Sequence, residues 1–243
     1  MKVGVITNAM ARGARIASEI EKNPGVEAWV LVFDPGGAGL PKRMARESYY
    51  FASRTVIFES LSRLLGGRIL YFRKPIGHPS SLERIRSQKF DIGVHDLNII
   101  YRRPIIDAFG RGILNSHIGL LPRYRGRCVA EWSVLEGNPN GVTVFFIDEG
   151  IDTGRQIVLK EEVPLPRCKS IASMKSFLFS RDAEMYRKAL AAILAGKALL
   201  TNDIEQGFRY YPMSQLLLNV VEQLVQEGQL CQERSSRNDE RDR

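Results

Sequence analysis

Short apolar runs separated by stretches with helical spacing dominate the first half of the chain. Buried strands are predicted for the runs at residues 3–6, 28–33, 68–72, 91–95 and 112–115. Helical spacing lies between them at residues 9–22, 48–65 and 104–109, and Ser80 to Glu83 is typical of a helix start capped by serine. This alternation predicts an α/β fold, a Rossmann-like, mostly parallel sheet with helices on both faces.

The second half of the chain continues the pattern around a glycine-bounded turn. Strands are predicted at residues 142–147 and 155–160, on either side of the turn from Asp148 to Gly154. We expect helices at residues 170–194 and 214–227, with irregular structure at residues 201–213. The predicted organisation is a catalytic domain at residues 1–200, a short helical C-terminal extension packed on it at 201–231, and a disordered polar tail at 232–243.

Composition narrows the possible partners. No run approaches the roughly 18 apolar residues of a membrane span, so we expect no membrane partner and a cytoplasmic location. The net charge is +8, but the basic residues are spread along the chain. We therefore expect a solvated or phosphate-facing surface rather than a nucleic-acid groove. The three cysteines are widely spaced and predict free thiols and no metal site.

Candidate catalytic side chains lie at the end of the fifth predicted strand. Asn115 and His117 are two residues apart, which places both side chains on one face of a strand. An asparagine amide can donate to a carbonyl oxygen that gains charge, and a histidine can move protons near neutral pH. Asp152 lies between Gly150 and Gly154, where the backbone can turn closely toward a ligand.

Two motifs carry a resemblance. The segment from Asn115 reads Asn-Ser-His-Ile-Gly-Leu-Leu-Pro-Arg-Tyr-Arg-Gly, and Gly-Val-Thr-Val with Asp-Glu-Gly-Ile-Asp-Thr-Gly follows between Gly141 and Gly154. Together they strongly resemble the folate-dependent formyltransferases, a family that includes glycinamide ribonucleotide, methionyl-tRNA and sugar-nucleotide enzymes. The resemblance implies 10-formyltetrahydrofolate as the formyl donor and a primary amine as the acceptor.

The resemblance also implies roles for individual residues. Asn115 and protonated His117 would stabilise the oxyanion, while Asp152 would orient His117 and assist proton transfer. The pterin would be read largely by backbone groups, and the implied cofactor-binding residues are Leu97, Asn98, Ile99, Ile100, Tyr101, Ile147 and Asp148. Tyr124 and Arg125 are candidate substrate-binding residues. Arg125 suits a phosphate or carboxylate, or equally the backbone carbonyls of its own loop.

Two positions depart from the family pattern. Many relatives have proline or alanine where this chain has Ile118, and serine where it has Gly119. Neither residue supplies a catalytic group. We therefore expect these departures to alter the shape of the acceptor site and to leave the chemistry intact.

The acceptor is less clearly indicated. Glycinamide ribonucleotide enzymes carry a Gly-Ser-Asn phosphate loop where this chain has Thr7, Asn8 and Ala9, and methionyl-tRNA enzymes carry a C-terminal β-barrel where this chain is mostly helical. We therefore expect a small-molecule amine, with a nucleotide-linked amino sugar as the first candidate and no nucleic-acid partner. Methionyl-tRNA-like and glycinamide ribonucleotide-like enzymes, a non-catalytic folate- or nucleotide-binding module, and a homodimeric state stay open.

Overall fold

The computed structural model describes residues 1–33, 66–97, 99–201 and 208–228. These residues divide into two compact units, Met1–Leu114 and Asn115–Arg243. The predicted helix at 48–65 and the predicted tail at 232–243 lie outside the described residues. The predicted domain boundary at residue 200 remains a prediction.

The first unit is a parallel sheet with its connecting helices. Its elements are β1 (Lys2–Thr7), α1 (Met10–Ile20), β2 (Glu27–Phe33), β3 (Ile69–Phe72), α2 (Pro79–Ser87), β4 (Ile92–Asp96), α3 (Arg103–Ile106) and the start of β5 (Ile113–His117). The strand order is β3-β2-β1-β4-β5, and each neighbouring pair is parallel. The apolar strand residues Val3, Val5 and Val94 are fully buried, as expected for strands covered on both faces. The predicted mostly parallel α/β fold is confirmed.

The start of α2 differs from the sequence interpretation. The N-cap is His78 rather than Ser80, and the backbone N–H of Ser80 donates to His78 Nδ1 at 3.2 Å. Pro79 follows as the first helical residue, a position that suits its fixed φ and its missing N–H. The proline therefore starts the helix earlier than the serine signal indicates.

The second unit combines antiparallel strands with the longer helices. After the end of β5 it contains β6 (Tyr124–Gly126), α4 (Val129–Leu135), β7 (Gly141–Phe146), β8 (Gln156–Glu162), α5 (Ile171–Phe179), α6 (Asp182–Leu194), β9 (Leu200–Thr201), β10 (Phe208–Tyr210) and α7 (Gln215–Glu227). Strand β8 pairs antiparallel with β7 and with β9, while β10 pairs parallel with β6. Buried Leu121, Phe145 and Ile157 form one hydrophobic cluster in this unit.

Two expectations for the second unit are wrong. The helix predicted at 170–194 is interrupted, because α5 ends at Phe179 and α6 begins at Asp182. The Ser180 hydroxyl donates to the Phe177 carbonyl at 2.6 Å, a side-chain hydrogen bond that competes with continued helix. Residues 208–210, expected to be irregular, form β10 because β6 offers them a partner. No helix in the described ranges is long and apolar enough to cross a membrane.

Candidate active site

The end of β5, from Asn115 to His117, is fixed by Ser116. The Ser116 hydroxyl donates to Asp182 Oδ1 at 2.8 Å, and the Ser116 backbone N–H donates to the Tyr186 hydroxyl at 2.8 Å. Both partners are buried on α6. Because successive side chains of a strand point to opposite faces, Asn115 and His117 point away from α6. The α6 anchor thus presents both residues on the same side of the strand.

The Asn115 side chain is half-buried at the end of β5. Its amide makes no hydrogen bond to another described residue. None of the described residues thus occupies the amide N–H groups.

His117 is buried, and its ring orientation is set by a backbone carbonyl. His117 Nε2 lies 2.8 Å from the Tyr124 carbonyl oxygen, and a carbonyl only accepts hydrogen bonds. Nε2 therefore carries a hydrogen, and Nδ1 is the nitrogen left to face a second group. Nδ1 lies 3.8 Å from Asp152 Oδ2. This distance is slightly longer than a hydrogen bond, so a small movement of either side chain would close it.

Asp152 lies on a turn held by its neighbours. Its φ is +45°, in the left-handed region that aspartate tolerates better than most residues. Asp152 Oδ2 accepts from the Gly126 N–H at 3.2 Å. Arg125 donates from Nε to the Asp152 carbonyl at 3.1 Å and from Nη2 to the Ile151 carbonyl at 3.4 Å. β6 therefore holds both the carboxylate and the backbone of this turn.

Asp148 stabilises the same turn from its other end. Its carboxylate accepts from the Gly150 N–H at 2.8 Å and from the Thr153 hydroxyl at 2.6 Å. Ile147, just before it, is half-buried. In the described structure Asp148 therefore shapes the turn, and its implied role in cofactor binding stays a prediction.

The loop between His117 and Tyr124 is held by Thr143 of β7. The fully buried Thr143 hydroxyl donates to the Gly119 carbonyl at 2.7 Å and accepts from the Leu121 N–H at 3.1 Å. The following peptide bond, Leu121–Pro122, is cis. The Gly-Val-Thr-Val motif thus contributes a hydroxyl that fixes the loop leading from the imidazole to its carbonyl partner.

Replacing Thr143 with valine should lower the free energy of unfolding by about 1–3 kcal/mol, because the Gly119 carbonyl and the Leu121 N–H lose their partner. Chemical denaturation measures this change. Thr201→Val, the same substitution at an exposed position of β9, is the control and should change stability by less than about 0.5 kcal/mol. Equal stabilities for the two variants would contradict the assigned role of Thr143.

The predicted substrate residues Tyr124 and Arg125 both lie on β6. The Tyr124 side chain is only 1% exposed, and its hydroxyl donates to Glu136 Oε2 at 2.8 Å. What Tyr124 presents to His117 is its backbone carbonyl. Of the two interpretations of Arg125, the structure displays the contacts with backbone carbonyls. Substrate binding by either side chain stays a prediction.

The predicted cofactor residues 97–101 follow β4 in the first unit. Ile99 and Ile100 are 41% and 63% exposed, Leu97 is half-buried, and Asn98 lies outside the described residues. Tyr101 is buried with its hydroxyl 3.0 Å from His95 Nδ1, and burial raises the pKa of Tyr101. Cofactor binding by this segment stays a prediction.

Sequence reasoning missed a polar cluster at the carboxyl ends of β1 and β4. Asp96 Oδ2 accepts from the Thr7 hydroxyl at 2.7 Å, and Asp96 Oδ1 lies 2.6 Å from Arg12 Nε. Burial raises the pKa of Asp96, while Thr7 and Arg12 act in the opposite direction. A carboxylate directly after a buried parallel strand was the available signal, because ligands bind at such strand ends.

The described residues contain no group of three or more His, Cys, Asp or Glu side chains that could hold a metal ion. Cys128 and Cys168 are free thiols, as predicted. Cys231 lies outside the described residues.

A sequence-family model described as "Formyl transferase" matches residues 97–190. This stretch includes Asn115, His117 and Asp152, together with both motifs. The match covers 94 of the 243 residues, so it is this segment that is similar to the formyl transferase family. The resemblance drawn from the motifs is thereby confirmed, and the His117–Asp152 contact lies inside the formyl transferase segment.

Relatives of the formyl transferase segment have several acceptors in their names. The chain is 32% identical over 115 residues to the methionyl-tRNA formyltransferase of Syntrophus aciditrophicus, covering 47% of this chain and 36% of that protein. It thus spans little more than a third of that relative's length. Among solved structures, glycinamide ribonucleotide transformylase 1 from Symbiobacterium toebii superposes with a TM-score of 0.58 at 19% identity, covering 84% of this chain and 94% of that chain.

A sugar N-formyltransferase from Shewanella sp. FDAARGOS_354 superposes equally well. Its TM-score is 0.58 at 14% identity, covering 93% of this chain and 87% of that chain. At these identities both superpositions establish the fold of the formyl transferase segment and its surroundings. The acceptor has to be argued from other observations.

Proposed function

We propose that this chain transfers a formyl group from 10-formyltetrahydrofolate to a primary amine. The observation that carries the proposal is the contact of His117 Nδ1 with Asp152 Oδ2 at 3.8 Å, beside a strand end that also presents Asn115. An amide donor, an imidazole and a carboxylate are the groups that acyl transfer to an amine requires. A module that only binds folate or a nucleotide has no need of all three.

The donor supplies an activated formyl carbonyl when it is bound. The residues suited to hold its pterin ring are the exposed Ile99 and Ile100, with backbone groups of the same loop. Ile147 and Asp148 are the proposed contributors from the turn in the second unit. Backbone recognition accounts for the lack of a side-chain signature at residues 97–101.

Asn115 acts on the carbonyl oxygen. When an amine attacks the formyl carbon, the oxygen gains negative charge, and a fixed N–H donor lowers the energy of that state. The Asn115 amide suits this role because it makes no hydrogen bond to another described residue. Among the described residues it therefore has no hydrogen bond to break in order to donate.

His117 and Asp152 handle the proton as a pair. With Nε2–H donated to the Tyr124 carbonyl, His117 meets the carboxylate through Nδ1. That contact is attractive when a proton lies between Nδ1 and Oδ2. Asp152 is the more exposed member, at 20% against 8% for His117, so it is the better placed to receive the proton that the attacking amine loses. His117 shares this proton through Nδ1, and Asp152 then returns it to the departing nitrogen.

The first candidate for the acceptor is a nucleotide-linked amino sugar. The net charge of +8 suits a diphosphate group. Methionyl-tRNA is the second candidate, favoured because the relatives from Syntrophus aciditrophicus and Clostridioides difficile both bear that name.

Purified protein with 10-formyltetrahydrofolate and a panel of amines tests the proposal. The panel contains amino sugar nucleotides, glycinamide ribonucleotide and aminoacylated initiator tRNA, with release of tetrahydrofolate and formylated product measured together. We expect turnover with an amino sugar nucleotide. Formylation of the tRNA alone would assign the second candidate, and folate binding without formyl loss for any amine would leave a binding module.

A further inference from the structure

The C-terminal strand β10 contacts the segment that holds the candidate catalytic pair. β10 pairs in parallel with β6, with Phe208 opposite Tyr124 and Tyr210 opposite Gly126. β6 supplies the carbonyl that accepts from His117 and the N–H that donates to Asp152. The outer edge of this strand is therefore closed by residues that lie beyond the matched formyl transferase segment.

Three side chains reinforce the pairing, and we call Tyr124, Glu136 and Tyr210 the tyrosine brace. The Tyr124 hydroxyl donates to Glu136 Oε2 at 2.8 Å, and the Tyr210 hydroxyl donates to Glu136 Oε1 at 2.7 Å. The two phenol rings stack with centroids 5.4 Å apart. Burial is the main cause that raises the pKa of both tyrosines, so both hydroxyls stay protonated and both donate.

The brace acts on the same residue that orients the imidazole. The Tyr124 side chain is tied to Glu136, while the Tyr124 carbonyl is 2.8 Å from His117 Nε2. If this carbonyl moves, Nε2–H loses its acceptor. The neutral imidazole can then adopt its other tautomer, with the proton on Nδ1 beside the Asp152 carboxylate. The tautomer of His117 thus depends on where β6 is held.

We infer that the tyrosine brace is a positioning device for His117, with Tyr210 and Glu136 acting through the Tyr124 carbonyl rather than on any substrate. The effect that this inference predicts on catalysis depends on the proposed function. The consequence of the inference for the His117 ring follows from the contacts alone. The C-terminal segment thereby gains a role in the chemistry without contributing a group to the reacting atoms.

Tyr210→Phe and Glu136→Gln test this inference. The phenylalanine variant keeps the ring stack and removes one hydrogen bond, and the glutamine variant keeps the side-chain shape and removes the charge. Tyr211→Phe is the matched control, because Tyr211 is the adjacent residue and its ring is 63% exposed. Thermal unfolding and circular dichroism establish that all three variants are folded.

The first readout is the ring tautomer from long-range proton–nitrogen correlation spectra of neutral histidine. The chain has only three histidines, so His117 can be assigned with single substitutions of the other two. We expect the proton on Nε2 in the parent protein and in Tyr211→Phe. In Tyr210→Phe and Glu136→Gln, we expect a measurable fraction on Nδ1. Identical ring spectra in all four proteins would overturn the inference.

The second readout is steady-state formyl transfer. We expect Tyr210→Phe and Glu136→Gln to lower kcat by about tenfold with the KM for the amine changed less than about twofold, because an interaction used in the transition state is weakened. A change confined to KM would instead indicate substrate contact and would contradict a positioning role. If the parent protein transfers no formyl group, the proposed function fails, while the tautomer readout still decides on the brace.

Discussion

His117→Asn and Asp152→Asn are each expected to lower kcat/KM by about 10²–10⁴-fold, because proton transfer in the transition state loses one member of the pair. Asparagine is the appropriate replacement at position 152, since it tolerates the φ of +45° that alanine would strain. It also keeps an oxygen that can accept from the Gly126 N–H. The loss can therefore be ascribed to the ionisable group rather than to the turn.

The double variant distinguishes a pair from two independent groups. If His117 and Asp152 share one proton, the double substitution should cost little more than the larger single substitution. Steady-state kinetics of the parent protein, the two single variants and the double variant provide the double-mutant cycle. Asp107→Asn, at an exposed carboxylate on the surface of the first unit, is the control and should retain activity. Fully additive losses would contradict a paired mechanism.

Gly119→Ala is expected to cause the second large loss of activity, because the added Cβ would collide with neighbouring atoms. A Cβ at Gly119 would lie 2.8 Å from His117 Nε2 and 3.0 Å from the Tyr124 carbonyl oxygen. Both atoms belong to a buried hydrogen bond, so neither can move without breaking it. We expect kcat to fall by about 10²-fold, the cost of displacing a catalytic group by about an ångström. The free energy of unfolding should fall by about 1–3 kcal/mol.

The matched substitution is Gly77→Ala, where the nearest atom to an added Cβ is 3.7 Å away. That variant should retain activity and stability. A fully active Gly119→Ala protein would imply that the hydrogen bond from His117 to the Tyr124 carbonyl is not required for turnover.

The core of the candidate site could be predicted because its signals are local. Asn115 and His117 share a face through the two-residue period of a strand, and the glycines around Asp152 mark a tight turn. The strands of the first unit were equally predictable, since each is a continuous apolar run between turn residues. These features depend on neighbouring residues and so are visible in the linear order.

The partners of these residues were not predictable. His117 is oriented by a backbone carbonyl, and every residue has one, so no residue type marks it. β10 exists because β6 offers a free edge, a contact between segments more than eighty residues apart. Through the same pairing Glu136 gains Tyr210 as its second tyrosine donor. Such long-range pairings override local propensity.

The anchor of β5 on α6 has a consequence for laboratory evolution of this chain. Ser116 is fixed by Asp182 and Tyr186, and its two neighbours in sequence are the candidate amide and imidazole. Random libraries selected for altered turnover should accordingly return substitutions in the first turns of that helix, at sites remote from the bond being made. Screens restricted to cleft-lining positions would overlook them.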